Sequence, residues 1–278
     1  MSEDFLAAMA RSSRERVAGE RELCPRRELE ARARAMPPAP RLALSPGGFD
    51  LIAEVKLRSP AAGQLQDGGE DIGARVAAYA DAGAAAISVL TEPTRFDGAL
   101  SHLSLAASGV AGRIPVMRKD FLVDDYQVYQ ARAAGAGGVL IILRMLARAE
   151  LEALIEAAGA LGLFALLEAF DHADLKLAAG LVRDYGRRCL LLVGVNCRDL
   201  VTLKVVPGRL ESLAPLLPDG VPRVAESGVA TSSDAARVAA AGYDVTLVGS
   251  ALMQAADPFQ LATSMLAAGR AATRRTCG

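Results

Sequence analysis

The chain has 278 residues, 52% of them hydrophobic and 23% charged, and its 31 basic side chains balance 32 acidic ones at a net charge of −1. That balance offers no basic field to attract nucleic acid, and no apolar run approaches the roughly 20 residues a membrane-spanning helix needs. Such a length suits one large domain or two small ones. The start, Met1-Ser-Glu-Asp-Phe-Leu6, is acidic and lacks the basic opening and apolar stretch of a signal peptide, so a cytoplasmic location is expected. Cys24, Cys189, Cys197 and Cys277 show no paired metal-ligand spacing, and disulfides would be unusual in such a chain.

In chain order, residues 3–35 mix Arg, Glu and Ala with apolar positions and read as helical until Pro37, Pro38 and Pro40 stop the helix. Residues 1–45 are therefore read as an N-terminal helical extension with a linker, and 46–278 as the main domain. Within that domain, β-rich apolar runs fall at 51–57, 86–90, 114–118, 138–143, 163–168, 190–196, 222–226 and 245–249. Helical patterns lie between them near 71–82, 99–108, 124–135, 147–160, 171–180, 209–216 and 232–241, with a last one near 257–269. Several of these end in Gly, among them Gly83, Gly135, Gly162 and Gly242, where a helix C-terminus favours it. Eight strand–helix units of this kind predict a (β/α)8 TIM barrel. An open doubly wound sheet is the competitor, and the lack of Gly-x-Gly-x-x-Gly after the first run weakens its dinucleotide-binding version.

In such a barrel, the C-terminal ends of the strands build the active site. Glu54 and Lys56 sit at i and i+2 of the first strand, so both point to one side, which cannot then be a plain apolar core. Thr91-Glu92, Lys119-Asp120, Glu168, Asn196 with Arg198, and Glu226 end later strands. Any one carboxylate there is as readily a helix N-cap, and Glu54 with Lys56 is also explained by simple ion pairing. Six polar strand ends converging on one rim favour a site. Asp120 and Asp199 read as loop hydrogen-bonding residues, His102 and His172 as surface or capping residues, and Cys197, by alternation, as packing. Ser227-Gly228 and Gly249-Ser250 place small residues where backbone N–H groups can approach an anion, and Ser250-Ala-Leu-Met253 can start a short helix. Tight turns without a ligand are the plain alternative.

Several segments carry a more specific signal. They include Ile52-Ala-Glu-Val-Lys56, Ser59-Pro60, Ile87-Ser-Val-Leu-Thr-Glu-Pro93, Arg118-Lys-Asp-Phe121, Asp125–Ala136, Gly194-Val-Asn196, Ala225-Glu-Ser-Gly228 and Val248-Gly-Ser-Ala-Leu252. Across residues 48–258 the chain resembles indole-3-glycerol phosphate synthase, the ring-closing decarboxylase of tryptophan biosynthesis. The resemblance implies a carboxyphenylamino deoxyribulose phosphate as substrate, indole-3-glycerol phosphate as product, and no cofactor or metal. It implies Lys119 as general acid at the C2 carbonyl, with Lys56 a second candidate for one of the proton steps. It also implies Glu168 in the dehydration, Glu54 orienting the lysines, and Asn196 holding substrate hydroxyls or Glu168. Ser227, Gly228, Gly249 and Ser250 would hold phosphate, assisted by Lys56 and Ser59. Pro60, Phe96, Phe121, Leu140, Ile142 and Leu200 would pack on the anthranilate ring, and Arg198 and Glu226 would complete the polar ring.

The chain departs from the family at Ala61-Ala62, where a serine hydroxyl and a lysine are common, and at Cys197, where an asparagine is usual. A phosphoribosylanthranilate isomerase would need a cysteine near its first strand, and none is there. A paralogue serving a secondary-metabolite pathway and a non-catalytic phosphate-binding barrel are the other readings. Joint retention of Glu54, Lys56, Lys119, Glu168 and Asn196 weighs against the latter. The partner expected is a small phosphorylated molecule, not nucleic acid or membrane. Members of the family are often monomeric, and neither end of this chain suggests a fused domain.

Overall fold

A computed structural model describes residues 5–46, 48–60, 63–65 and 71–276. Eight parallel strands close into a barrel: β1 (Asp50–Val55), β2 (Ala86–Leu90), β3 (Val116–Lys119), β4 (Gly138–Ile142), β5 (Phe164–Ala169), β6 (Leu191–Asn196), β7 (Arg223–Glu226) and β8 (Val245–Val248). Each pairs with its sequence neighbours, and closure is made by β1 against β8, with Asp50 opposite Val245 and Ala53 opposite Val248. Helices after each strand form the outer ring and cover the outer face of the parallel sheet, whose inner face is filled by its own side chains.

Alternation along the strands explains the two apolar layers. Ile52, Ala86, Met117, Leu140, Phe164, Leu166, Leu192, Val224, Val245 and Leu247 point inward and fill the barrel. Their neighbours Leu51, Ala53, Ile87, Val89, Val139, Ile141, Ala165 and Leu167 point outward and pack under the helices. Fully burying one such side chain stabilises the fold by about 1.5–3 kcal/mol. The glycines expected at helix ends do close them; Gly135 and Gly242 take φ of 94° and 96°, a region in which a Cβ is strained.

Three local features differ from the periodic pattern. The helix expected over 3–35 is two helices, α1 (Phe5–Leu23) and α2 (Arg26–Ala35). Pro25, which has no N–H and adopts φ −56°, ends the first and opens the second. β1 stops at Val55, so Lys56 stands just beyond the strand, and the chain continues into a two-residue antiparallel ribbon, Arg58–Ser59 against Gly63–Gln64. Ala61 and Ala62 lie outside the described residues. A four-residue helix, Pro93–Phe96, follows β2. Its N-cap is Glu92, whose carboxylate accepts from the Thr94 and Arg95 N–H groups at 2.8 and 2.7 Å. For this carboxylate the capping alternative is the correct one.

α1 lies across the C-terminal ends of β3 to β5. Leu6 and Met9 join the inner apolar cluster beside Phe121 and Phe170, while Val17 joins the outer one with Leu29 and Ala33 of α2. Arg16 reaches Asp120 with two hydrogen bonds, 2.9 and 3.2 Å. Asp120 also accepts from Arg118, Thr91 and the Phe121 N–H. Every Asp120 oxygen is thus engaged in holding the end of β3, as expected for a loop-bracing residue. Removing one partner from such a buried pair costs about 3–5 kcal/mol. Among the described residues, no helix is long and apolar enough to cross a membrane.

Candidate active site

A cavity of about 330 Å³ opens at the C-terminal end of the barrel. Its floor is a ring of long inward side chains from alternate strands: Glu54 on β1, Lys119 on β3, Glu168 on β5 and Glu226 on β7. A layer of four residues drawn from every second strand is how an eight-stranded barrel fills its interior. Here the top layer is polar, and it is buried: Glu54, Glu168 and Glu226 are each no more than 2% exposed.

Lys119 sits between two carboxylates. Its Nζ is 3.2 Å from Glu226 Oε2 and 3.5 Å from Glu168 Oε1. Lys56 Nζ is 2.6 Å from Glu54 Oε1, so the charge pair of the first strand is a close ion pair at the cavity floor. Three carboxylates therefore share two ammonium groups in a low-dielectric pocket, one charge short of balance. Burial alone would pull Lys119 down, but the charges of Glu168, Glu226 and Glu54 outweigh it and raise its pKa above the ordinary lysine value. Burial, reinforced by the charge of Glu168, pushes Glu226 up to about 8 against the pull of Lys119.

Asn196 at the end of β6 orients this group. Its Nδ2 donates to Glu168 Oε1 at 2.8 Å, and its Oδ1 accepts from the Arg198 N–H at 2.9 Å. Arg198 lines the cavity while its guanidinium donates to the Leu203 carbonyl at 2.7 Å, and an isolated bridge joins Arg198 to Val205. This tightens the loop after β6, which Arg209 ties to the Asn196 carbonyl. Asp199 binds only within that loop, accepting from Val201, Thr202 N–H and the Thr202 hydroxyl. Cys197 is buried, its Sγ donating to the Val206 carbonyl, and it does not line the cavity. His102 and His172 are also absent from the lining.

One wall is apolar. Pro60, Phe96, Phe121, Leu140, Ile142 and Leu200 all face the cavity. Phe121 is its centre, 6.2 Å from the Phe96 ring and edge-on to Phe5 at 5.8 Å. The opposite wall is made by Ser59, Ser227, Gly228, Gly249 and Ser250. Ser227 and Gly228 both have positive φ, 63° and 73°, so the chain turns sharply after β7. Ser250 begins the short helix Ser250–Gln254 after Gly249. All of the site residues expected from sequence therefore border one cavity. Phe5, Leu90, Leu203, Val205, Val229, Ala230 and Leu247 border it too and were missed; Asp120, which was assigned to the loop alone, also borders it. Among the described residues, no group of three His, Cys, Asp or Glu side chains is placed to hold a metal.

The family model described as indole-3-glycerol phosphate synthase matches residues 6–265. The chain belongs to the indole-3-glycerol phosphate synthase family. It is 42% identical over 246 residues to an indole-3-glycerol phosphate synthase of Mycolicibacterium smegmatis, covering 87% of this chain and 86% of that protein. To the protein of that name from Parafrankia sp. it is 45% identical over 219 residues, covering 79% and 78%. To that of Saccharopolyspora erythraea it is 41% identical over 262 residues, covering 92% of each. Among solved structures, the barrel resembles 3-hexulose-6-phosphate synthase from Salmonella typhimurium, with a TM-score of 0.63 at 17% identity over 81% of this chain and 100% of that one. Thiamine phosphate pyrophosphorylase from Pyrococcus furiosus gives 0.56 at 18% identity over 83% and 98%. At such identities the likeness is one of fold. As a member of the indole-3-glycerol phosphate synthase family, the chain draws its cavity lining from the helix before β1 as well as from the barrel.

Proposed function

We infer that this chain is an indole-3-glycerol phosphate synthase, a carboxy-lyase of tryptophan biosynthesis. It closes the pyrrole ring of 1-(2-carboxyphenylamino)-1-deoxyribulose 5-phosphate with loss of carbon dioxide and water. The observation that carries the reading is Lys119 held between Glu168 and Glu226 at the floor of a cavity that has one aromatic wall and one wall of small residues.

On this reading each step has its own group. The aromatic wall around Phe121 holds the anthranilate ring, and the turn at Ser227-Gly228 with Gly249-Ser250 holds the phosphate. The substrate is thus stretched across the carboxylate–lysine layer, and the ring carbon and the C2 carbonyl are brought together above it. Lys119, kept charged by its carboxylates, donates a proton to the carbonyl oxygen as the carbon–carbon bond forms. Carbon dioxide then leaves and the ring regains aromaticity. Glu168, oriented by Asn196, serves the proton transfers of dehydration, for which a positioned carboxylate contributes about 10²–10⁴-fold. Lys56, paired with Glu54, acts as the second acid. Glu226, 3.2 Å from Lys119, holds the ammonium group from the side away from Glu168. The test mixes purified protein with the carboxyphenylamino deoxyribulose phosphate and follows indole fluorescence. Steady product formation is expected, and none at micromolar enzyme would overturn the reading.

A further inference from the structure

We propose that Gly194, on β6, is a positioning residue: the space left by its missing side chain is the seat that holds the Glu226 carboxyl beside Lys119. This rests on the function inferred above and deepens it.

Gly194 occupies an inward position on β6, between Leu192 below and Asn196 above, and lies opposite Glu168 in the β5 register. Its φ is not in the left-handed region, so no backbone conformation calls for glycine there. A glycine inside a strand weakens it and marks close approach by another group. That group is Glu226. A Cβ on Gly194 would stand 2.2 Å from Glu226 Oε1 and 3.1 Å from Leu166 Cδ1, the first far inside contact distance. Glu226 Oε1 is buried and has no hydrogen-bond partner among the described residues, whereas Oε2 faces Lys119 at 3.2 Å. On its Oε1 side the carboxyl is therefore located by shape alone. Any side chain at 194 swings Glu226 off Lys119.

A related gap lies just beyond β8, at Gly249. A Cβ on Gly249 would lie 2.1 Å from Glu54 Oε1 and 2.9 Å from Lys56 Nζ. Gly194 on β6 and Gly249 just after β8 thus leave gaps at the level where odd-numbered strands carry long charged side chains, and the charged groups lean into them.

The test is a double-mutant cycle of Gly194→Ala and Glu226→Ala, with kcat, KM, circular dichroism and a crystal structure of each folded variant. Gly194→Ala is expected to lower kcat by about a hundredfold, the cost of misplacing a group by about 1 Å, with KM changed far less. In the Glu226→Ala background, where no carboxyl is left to strike, the same substitution is expected to change kcat by less than about twofold. Additive losses, or a Gly194→Ala structure with Glu226 unmoved beside Lys119, would overturn the proposal. So would failure of both Gly194→Ala and the double variant to fold, which would assign the glycine to packing against Leu166. Folding of the double variant but not the single one would support it. If the unsubstituted protein made no indole product, the functional reading would fall, while displacement of Glu226 in the Gly194→Ala crystal would still decide the positioning role.

Discussion

Asn196 donates a hydrogen bond of 2.8 Å to Glu168 from the neighbouring strand, and the oxygen that receives it is the one that faces Lys119. Glu168 is therefore not free to choose its rotamer. One oxygen is committed, so the other is directed by default. A hydrogen bond to a charged group contributes about 1.5–3 kcal/mol, so Asn196→Ala should lower kcat roughly ten- to a hundredfold. Steady-state kinetics would show a smaller change in KM. An unchanged kcat would mean that Glu168 is held by something else.

Lys119→Ala should remove turnover, by about 10²–10⁴-fold for a lost general acid, while leaving affinity for inorganic phosphate within about twofold. Indole fluorescence and calorimetric phosphate titration separate the two effects. A variant that kept near-full rate would transfer the general-acid role to Lys56.

The Arg16–Asp120 pair makes acid stability a readout of how α1 is docked. Burial would raise the Asp120 pKa, but Arg118 and Arg16 hold it down at about 2, below its ordinary 3.8. A carboxyl with a depressed folded-state pKa stabilises the fold above its unfolded value, and that contribution is lost as pH falls from about 4 towards 2. The shift corresponds to roughly 2 kcal/mol. Asp120→Asn should therefore lower the melting temperature at pH 7 more than at pH 3, read by thermal melts followed by circular dichroism. Equal losses at both pH values would contradict the pairing.

Glu226 has the opposite sign. Its pKa rises on folding, from 4.5 to about 8, so its contribution is most favourable below pH 4.5 and declines as pH climbs through 8. Glu226→Gln, which is neutral throughout, should gain stability relative to the unsubstituted protein between pH 5 and pH 8. Parallel curves across that range would show that Glu226 is already ionised at pH 5.

Ala61→Ser would restore a hydroxyl that the family commonly has in the loop after β1. One net hydrogen bond is worth about 1 kcal/mol, so KM should fall about fivefold with little change in kcat. An unchanged KM would show that this departure is harmless to binding.

The parts of the fold and site that were readable in the sequence are those governed by a strand period of two. Strand ends located by the apolar runs singled out Glu54, Lys119, Glu168, Asn196 and Glu226 on the C-terminal rim, and the structure gathers them around one cavity. Phe5 was not readable. It belongs to a helix outside the strand–helix rhythm, and nothing local says where that helix docks. Arg16 and Asp120 are 104 residues apart, and their pairing depends on tertiary placement alone. Glu92 shows the limit from the other side: at a strand end like the rest, it caps a helix because Pro93 follows it and starts one. Leu203 and Val205 were hidden because the loop after β6 folds back through the Arg198–Val205 bridge, which no periodic pattern announces.

Pairing of Lys119 with Glu226 across 107 residues has a consequence for how the protein is made. During translation at about 5–20 residues per second, the lysine emerges on the order of ten seconds before its carboxylate partner. Glu54 and Lys56 emerge almost together, yet Gly249, the glycine they lean against, arrives only after β8. Until that strand leaves the ribosome and seals against β1, the charged groups stay hydrated and the unfinished chain has no reaction chamber. Catalytic competence therefore appears late and all at once, and a nascent chain that stalls before β8 is inert rather than partly active.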